Sequence, residues 1–545
     1  MLRSIRELRA LPALLAATAI TLSVLPPVVC AQEEAAITAE AAHSPEPPRT
    51  WGDALDAGFA AWIVAPLAAV IFFDVVFWDD TTTLPLVVLW LALGALFFTL
   101  RLGFPNVRAL GHAVSVTIGR WDSKHEKGEV THFQALSSAL SGTVGLGNIA
   151  GVAVAITLGG PGAMVWMTVA GFLGMSSKMV ECTLGMIYRK VDPNGRVSGG
   201  PMHYLDEGFA ERGWPIAGKV LAVVFAVMCV GGSLGGGNMF QANQSYAQIA
   251  SVVPFFQGRA WLYGLLLAFA VGVVIIGGIK RIGKVAERLV PAMCGIYMLA
   301  AAVVLLVNAA EVPAAIGTIF SEAFSPRAGL GGVLGVLVVG FQRAAFSNEA
   351  GVGSASIAHS AATTGEPVRE GIVALLEPFI DTIIVCNTTA IVVVVTGAHE
   401  GGAADGVLLT SRAFATVIPW FPWVLSLAVT LFAYSTMLSW SYYGERCATW
   451  LFGPRLGHDR VSIAYKMLFL SCTVLGAMLH LGSVLDFSDL MILGMAFPNM
   501  LGLFVLLPKV RAAFENYWGR YQSGAMRREL DRAEQAPVPT HLDAP

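Results

Sequence analysis

The sequence predicts an all-α polytopic membrane protein of about eleven transmembrane helices, arranged as a five-plus-five inverted repeat with a broken first helix in each half. Three observations predict it. Only 13% of the 545 residues are charged while 55% are hydrophobic. Apolar stretches long enough to cross a bilayer, about 20 residues each, recur along the chain. Two polar, glycine-rich clusters interrupt such stretches at corresponding places. Soluble domains carry about 25% charged residues, so this composition cannot give a chain of this length a water-facing surface, and a soluble enzyme is excluded. With a net charge of −3 and basic residues scattered through short loops, the chain has no field for gripping nucleic acid. The seven cysteines show no CxxC or Cys/His spacing, so neither a disulfide nor a metal cluster is expected.

Residues 1–31 carry Arg3, Arg6 and Arg9 before an apolar run that ends in the small residues Val29 and Ala31, the pattern of a signal peptide. The mature N-terminus then lies outside. Residues 32–56, acidic and broken by Pro45, Pro47 and Pro48, form a polar periplasmic linker. The stretch 57–80 is apolar but ends in Asp74, Trp78, Asp79 and Asp80, which suit a headgroup boundary, so it is an interfacial or re-entrant element. The membrane domain occupies 84–510, with spans at 84–102, 133–158, 164–188, 219–250, 261–279, 289–308, 331–358, 371–397, 422–444, 462–482 and 489–508. Residues 511–545 are a cytoplasmic tail. Starting from outside, the external loops hold only Arg49, Arg259, Arg327 and Arg412, and the remaining loop and tail arginines and lysines fall inside. That bias supports the orientation, with the C-terminus in the cytoplasm.

Setting aside the span at 84–102, five crossings lie between 133 and 308 and five between 331 and 508. An odd number in each half forces the second half to run through the membrane in the opposite sense, which is the arithmetic of an inverted repeat. Each half opens on a break: Gly142, Thr143, Gly145, Gly147, Asn148 and Gly151 in the first; Ser347, Asn348, Glu349, Gly351, Gly353, Ser354 and Ser356 in the second. Glycine permits unwinding, and the freed backbone groups need a cavity or an ion because lipid cannot satisfy them. Close helix packing alone accounts for the glycines but not for Asn148 and Asn348.

Around these residues the sequence resembles the alanine or glycine:cation symporter family. The matching blocks are GTVGLGNIAG at 142–151, GGPGAMVWM at 159–167, GGPMHYL at 199–205, GGNMFQANQ at 236–244 and FSNEAGVGSASIAHSAA at 346–362. The family's tryptophan-rich block usually has a second tryptophan where Thr168 stands here. The resemblance implies a leucine-transporter-like fold that imports a small neutral amino acid, alanine or glycine, with transported Na⁺ and no cofactor. The signal-like N-terminus points to a Gram-negative inner membrane.

The resemblance also implies site residues. Thr143, Gly145, Gly147 and Asn148 would face the amino acid, with Ser347 and Asn348 opposite. Gln241 is a further donor or acceptor for the substrate or, equally, an interhelical hydrogen bond. Phe346 and Trp440 would wall the pocket or simply pack. In such folds one cation site lies between the first broken helix and the segment that here reads FAYSTMLSWS, which selects Ser435 and Thr436, with Ser439 as the alternative. Charged residues inside spans are functional candidates: Lys178, Glu181, Arg343, Glu349, Glu377 and Asp381. Lys178 and Glu181, three apart on one helix, are expected to pair. Glu349 is expected to pair with a gating residue or to sense cation charge. The competing functions are an ion or small-solute channel, which needs a continuous polar pore, and a proton-coupled amino-acid transporter. A membrane enzyme fails for want of a nucleophile with a base at sensible spacing.

Overall fold

The computed structural model describes residues 68, 71–76, 84–122, 126–191, 196–325, 332–401, 406–417 and 419–529. All of them belong to one compact unit, Leu55–Pro545. The expected signal peptide and linker, most of the 57–80 element and the end of the tail lie outside the described residues.

Helix α1 (Leu86–Arg101) follows a turn in which Asp74 accepts hydrogen bonds from the Val76 and Leu84 N–H groups, at 2.9 and 2.8 Å. A short helix, α2 (Leu110–Thr117), precedes the first broken pair, α3 (His132–Thr143) and α4 (Gly147–Gly159). Thr131 and Gln134 start α3 with a reciprocal capping box. The chain then forms α5 (Ala163–Ile187), a two-stranded ribbon of β1 (Lys190–Val191) and β2 (Val197–Ser198), and α6 (Pro201–Glu211). Next come α7 (Pro215–Val252), α8 (Ala260–Ile275), α9 (Gly278–Val307) and α10 (Val312–Ala323). The second broken pair is α11 (Gly332–Asn348) and α12 (Ala355–His359). It leads to α13 (Pro367–Val395), α14 (Val407–Ala415), α15 (Phe421–Leu456), α16 (His458–Met478) and α17 (Leu481–Gln522).

Among the described residues seven helices, α5, α7, α9, α13, α15, α16 and α17, are long and apolar enough to cross a membrane, and the bent pair α3–α4 makes an eighth. The chain is therefore an all-helical, multi-pass membrane protein. The expected spans at 84–102, 261–279 and 331–358 are built from shorter pieces: α1 and α8 have 16 residues each, and α11 has 17 before its break. At 1.5 Å per residue these helices reach about 24–26 Å, short of a hydrocarbon core of about 30 Å. Helix α10, of 12 residues, lies between two expected spans.

Burial sorts the helices into shells. In α17, 78% of the apolar stretch is buried, against 33% in α9 and α16. The exposed side chains of α8 and α9, Leu266, Phe269, Leu299 and Leu306 among them, form an apolar outer surface of the kind lipid covers. Inside, polar and charged groups gather where helices break. A strap joins the segment before α3 to the segment after α12. Glu129 N–H donates to Ala361 O at 2.8 Å and Thr363 N–H donates to Val130 O at 2.8 Å. Arg189 donates to the carbonyls of Lys127, Ser360, Ala362 and Thr364 at 2.6–3.0 Å. The segments lie so close that a Cβ on Gly128 would sit 2.4 Å from Thr363 Cα.

Candidate functional site

Both predicted breaks are present. Helices α3 and α4 meet at 49°, and α4 opens with a π-helical turn over Gly147–Gly151. The loosened backbone is satisfied by amides: Gly145 N–H donates to Asn148 Oδ1 at 2.9 Å, and Leu146 N–H donates to Gln241 Oε1 at 3.2 Å. Position 145 requires glycine, since a Cβ would stand 2.2 Å from Thr436 Oγ1. In the second break the backbone reverses through positive φ at Glu349 (56°), Gly351 (88°) and Gly353 (97°). Gly351 N–H donates to Glu181 Oε1, and Asn499 Nδ2 donates to Gly351 O at 2.9 Å.

Between the breaks lies a narrow cavity of about 10 Å³, roughly the room for one water. Six of the predicted residues, Thr143, Gly147, Gln241, Phe346, Thr436 and Trp440, line it. The charged lining group is Glu349, which is 1% exposed and accepts hydrogen bonds from Ser354 Oγ and, at 3.1 Å, from Trp440 Nε1. Phe346 meets Phe240 edge-on at 5.3 Å, which fixes one wall.

Asn148, Ser347 and Asn348 meet instead at a second centre, around Asp381 and Thr382. Asn148 Nδ2 donates to Asp381 Oδ1 at 2.6 Å, and Ser347 Oγ and Thr382 Oγ1 donate to Asp381 Oδ2 at 2.9 and 2.7 Å. Asn348 Nδ2 donates to Thr382 Oγ1 at 2.8 Å. Asp381 is fully buried on a π-helical stretch of α13, and among the described residues no basic side chain pairs with it. Of the hydroxyls on α15, Ser435 and Ser439 are bonded to α3: Ser435 Oγ donates to Ser141 O at 3.5 Å, and Ser439 Oγ donates to Ser138 O at 2.6 Å. Thr436 Oγ1 is buried beside Gly145 with no hydrogen-bond partner among the described residues.

The expected Lys178–Glu181 pair is not formed. Lys178 Nζ instead pairs with Glu377 Oε2 at 3.2 Å, while Glu181 holds the Gly351 N–H. The face of α5 that both residues share meets α13 and the α11–α12 break, and each charge takes the partner that element presents. Glu349, expected to meet a gating residue or a cation, is bound to Trp440 and Ser354. Sequence reasoning also missed that His132 and His359 meet through Glu370. Their side chains are 238 and 11 residues from that carboxylate, and spacing carries no signal for such contacts.

Helices broken around a shared polar cavity, inside an apolar outer shell, define a secondary membrane transporter rather than an enzyme. The chain belongs to the sodium:alanine symporter family, whose profile matches residues 69–531. It is therefore a member of a sodium-coupled amino-acid symporter family. It is 40% identical over 415 residues to the sodium/alanine symporter AgcS of Methanococcus maripaludis, covering 75% of this chain and 89% of the relative. It is 32% identical to the probable sodium/glutamine symporter GlnT of Bacillus subtilis, over 81% of this chain and 89% of the relative. Among solved structures it is similar to MhsT in complex with L-phenylalanine, with a TM-score of 0.46 and 14% identity over 70% of this chain and 99% of that one.

Proposed function

We propose that the protein imports a small neutral amino acid, alanine or glycine, down a sodium gradient across a Gram-negative inner membrane. In this reading the chain crosses eleven times, with α1, α8 and the α11–α12 pair locally thinning the bilayer, N-terminus outside and C-terminus inside. Ten of the crossings form the inverted repeat of the leucine-transporter type.

The observation that carries the reading is the pair of carboxylates at the breaks. Asp381 is buried among neutral donors, and a buried carboxylate without a basic partner calls for a cation. Asn148, Ser347, Asn348 and Thr382 supply oxygens around it, the ligand type that a hard cation such as Na⁺ takes. Thr436 Oγ1 and Ser435 offer a second cation position against α3. The substrate's ammonium takes Glu349, and its carboxylate takes the loosened N–H groups of Gly145 and Gly147 at the start of α4, where the helix dipole favours an anion. Thr143 and Gln241 orient it. Phe346 and Trp440 limit the side chain to a hydrogen or a methyl group.

Uptake of labelled alanine and glycine into proteoliposomes under a Na⁺ gradient, against K⁺ and proton gradients, tests this. Accumulation should require Na⁺. Asp381→Asn should raise the Na⁺ concentration for half-maximal uptake about tenfold, about 1.4 kcal/mol of cation binding. Accumulation driven by a proton gradient alone, or flux that only equilibrates the amino acid, would overturn the reading.

A further inference from the structure

Away from the cavity, a continuous chain of ionisable side chains runs through the buried end of the molecule near the strap. Lys178 Nζ lies 3.2 Å from Glu377 Oε2. Glu377 Oε1 lies 2.6 Å from His359 Nε2, and His359 Nδ1 lies 2.6 Å from Glu370 Oε1. Glu370 Oε2 bonds His132 Nδ1, and His132 Nε2 points to Asp122 Oδ1 at 3.6 Å. Lys178, Glu377, His359, Glu370 and His132 are all at most 2% exposed, whereas the Asp122 side chain is 47% exposed. The chain thus leads from the core to the surface.

Proton counting over these contacts is restrictive. Each of the three imidazole–carboxylate contacts needs one proton between nitrogen and oxygen, because two lone pairs at that distance repel. Two neutral histidines between ionised carboxylates supply only two. The chain therefore holds one proton more. His359 is its site, since both ring nitrogens face carboxylate oxygens, and Glu377 is kept ionised by Lys178 on its other oxygen. With that proton the charges of Lys178, Glu377, His359 and Glu370 sum to zero, as a buried cluster requires. The elements packed around it contribute Glu181 and Cys182 of α5, Glu349 of the second break, Tyr443 of α15, Arg189 after α5 and Arg369 of α13, the last pairing outward with Glu126 at 3.0 Å. A divalent cation suits the place less well. Cys182, His359 and Glu377 each bring a ligand atom within 4.8 Å of the others, but Lys178 already occupies Glu377.

We propose that this chain stores one proton on His359 and that the stored proton latches α12 to α13, and through Glu370 and His132 to α3, so that its release at alkaline pH frees α12. The proton leaves along Glu370 and His132 toward Asp122 and water, and the chain is left with one net negative charge. His359 is a positioning residue: it sets the ends of both broken helices and touches neither substrate nor cation. The membrane orientation proposed above matters only for which compartment's pH is felt.

Glu370→Gln separates the latch from the fold. The amide donates from Nε2 to His359 Nδ1 and accepts at Oε1 from His132, so every contact is kept with His359 neutral and no extra proton needed. Hydrogen–deuterium exchange of purified full-length protein in detergent, wild type and E370Q side by side at each pH from 7 to 10, reads the difference, and the pairing cancels intrinsic exchange. Amides of 355–373 should exchange faster in wild type than in E370Q, by a factor that grows toward about tenfold per pH unit once release begins. Profiles that stay parallel across the range would overturn the latch. If E370Q fails to fold, ¹⁵N chemical shifts of the wild-type imidazoles decide: a doubly protonated His359 at pH 7 supports the latch, and a neutral one overturns it.

Discussion

At the α3–α4 break the loosened backbone rests on amides, Asn148 on Gly145 and Gln241 on Leu146, whereas at the α11–α12 break it rests on the carboxylate of Glu181, with Glu349 bound alongside. A hydrogen bond contributes about 0.5–1.5 kcal/mol net, and a buried donor left unpaired costs about 1–3 kcal/mol. The first break can therefore exchange its amide partners for those of a ligand at modest cost, whereas the second, held by the Glu181 carboxyl group and the Asn499 amide, strands a buried backbone group when either is lost. Two breaks at equivalent places in a repeat need not do equivalent work.

The largest expected effect comes from closing the first break. Gly145→Ala drives a Cβ to 2.2 Å from Thr436 Oγ1 and 3.3 Å from Thr436 Cβ. Overpacking of that kind costs about 1–3 kcal/mol, and labelled alanine uptake should drop to background. Unimpaired uptake in this variant would mean that the first break is not the exchangeable one. At the second break, Glu181→Ala strands the buried Gly351 N–H and should lower stability in detergent by about 1–3 kcal/mol, whereas Glu181→Gln keeps an acceptor and should cost under about 1 kcal/mol. Thermal unfolding of the two variants measures the gap, and equal melting temperatures would remove the hydrogen bond to Gly351 from the explanation.

The smallest effect is a control on pH. Burial, and secondarily the charge of Arg369, holds His112 at about 4, below the ordinary 6.5. Its ring is neutral when folded, bonded to Tyr517 Oη at 2.8 Å and packed on Tyr521 at 3.9 Å. The unfolded chain takes up the proton first, so this contribution to stability is complete above pH 6.5 and is lost progressively from 6.5 down to about 4. Acidification through that window should lower the melting temperature, read by the fluorescence of Trp121 and Trp518, and His112→Gln should flatten the fall. A response that persists in the variant would direct attention back to the carboxylates of the second break.

Much of the architecture was legible in hydropathy and glycine placement. Both breaks fall where glycine clusters with asparagine, and Asn148 and Asn348 do carry hydrogen bonds there. What could not be read is which charge meets which. Lys178 finds Glu377, 199 residues on, rather than Glu181 one turn away, because helix spacing reports a shared face and not what is packed against it. Asp381 and Glu377 stand out in the sequence as charges in an apolar span, but their neutral donors and their histidine come from α4, α11 and α12. Helix α10 is apolar, but its 12 residues are too few for a span, so a search for spans passes over it.

The strap between Glu129–Val130 and Ala361–Thr363 acts as a hinge pin. Backbone bonds shared by the segment before one broken helix and the segment after the other resist pulling apart but tolerate swivelling. Halves pinned at one end share a single mechanical coordinate: tilting one broken helix drags its counterpart, and the cavity between them widens at the unpinned end first.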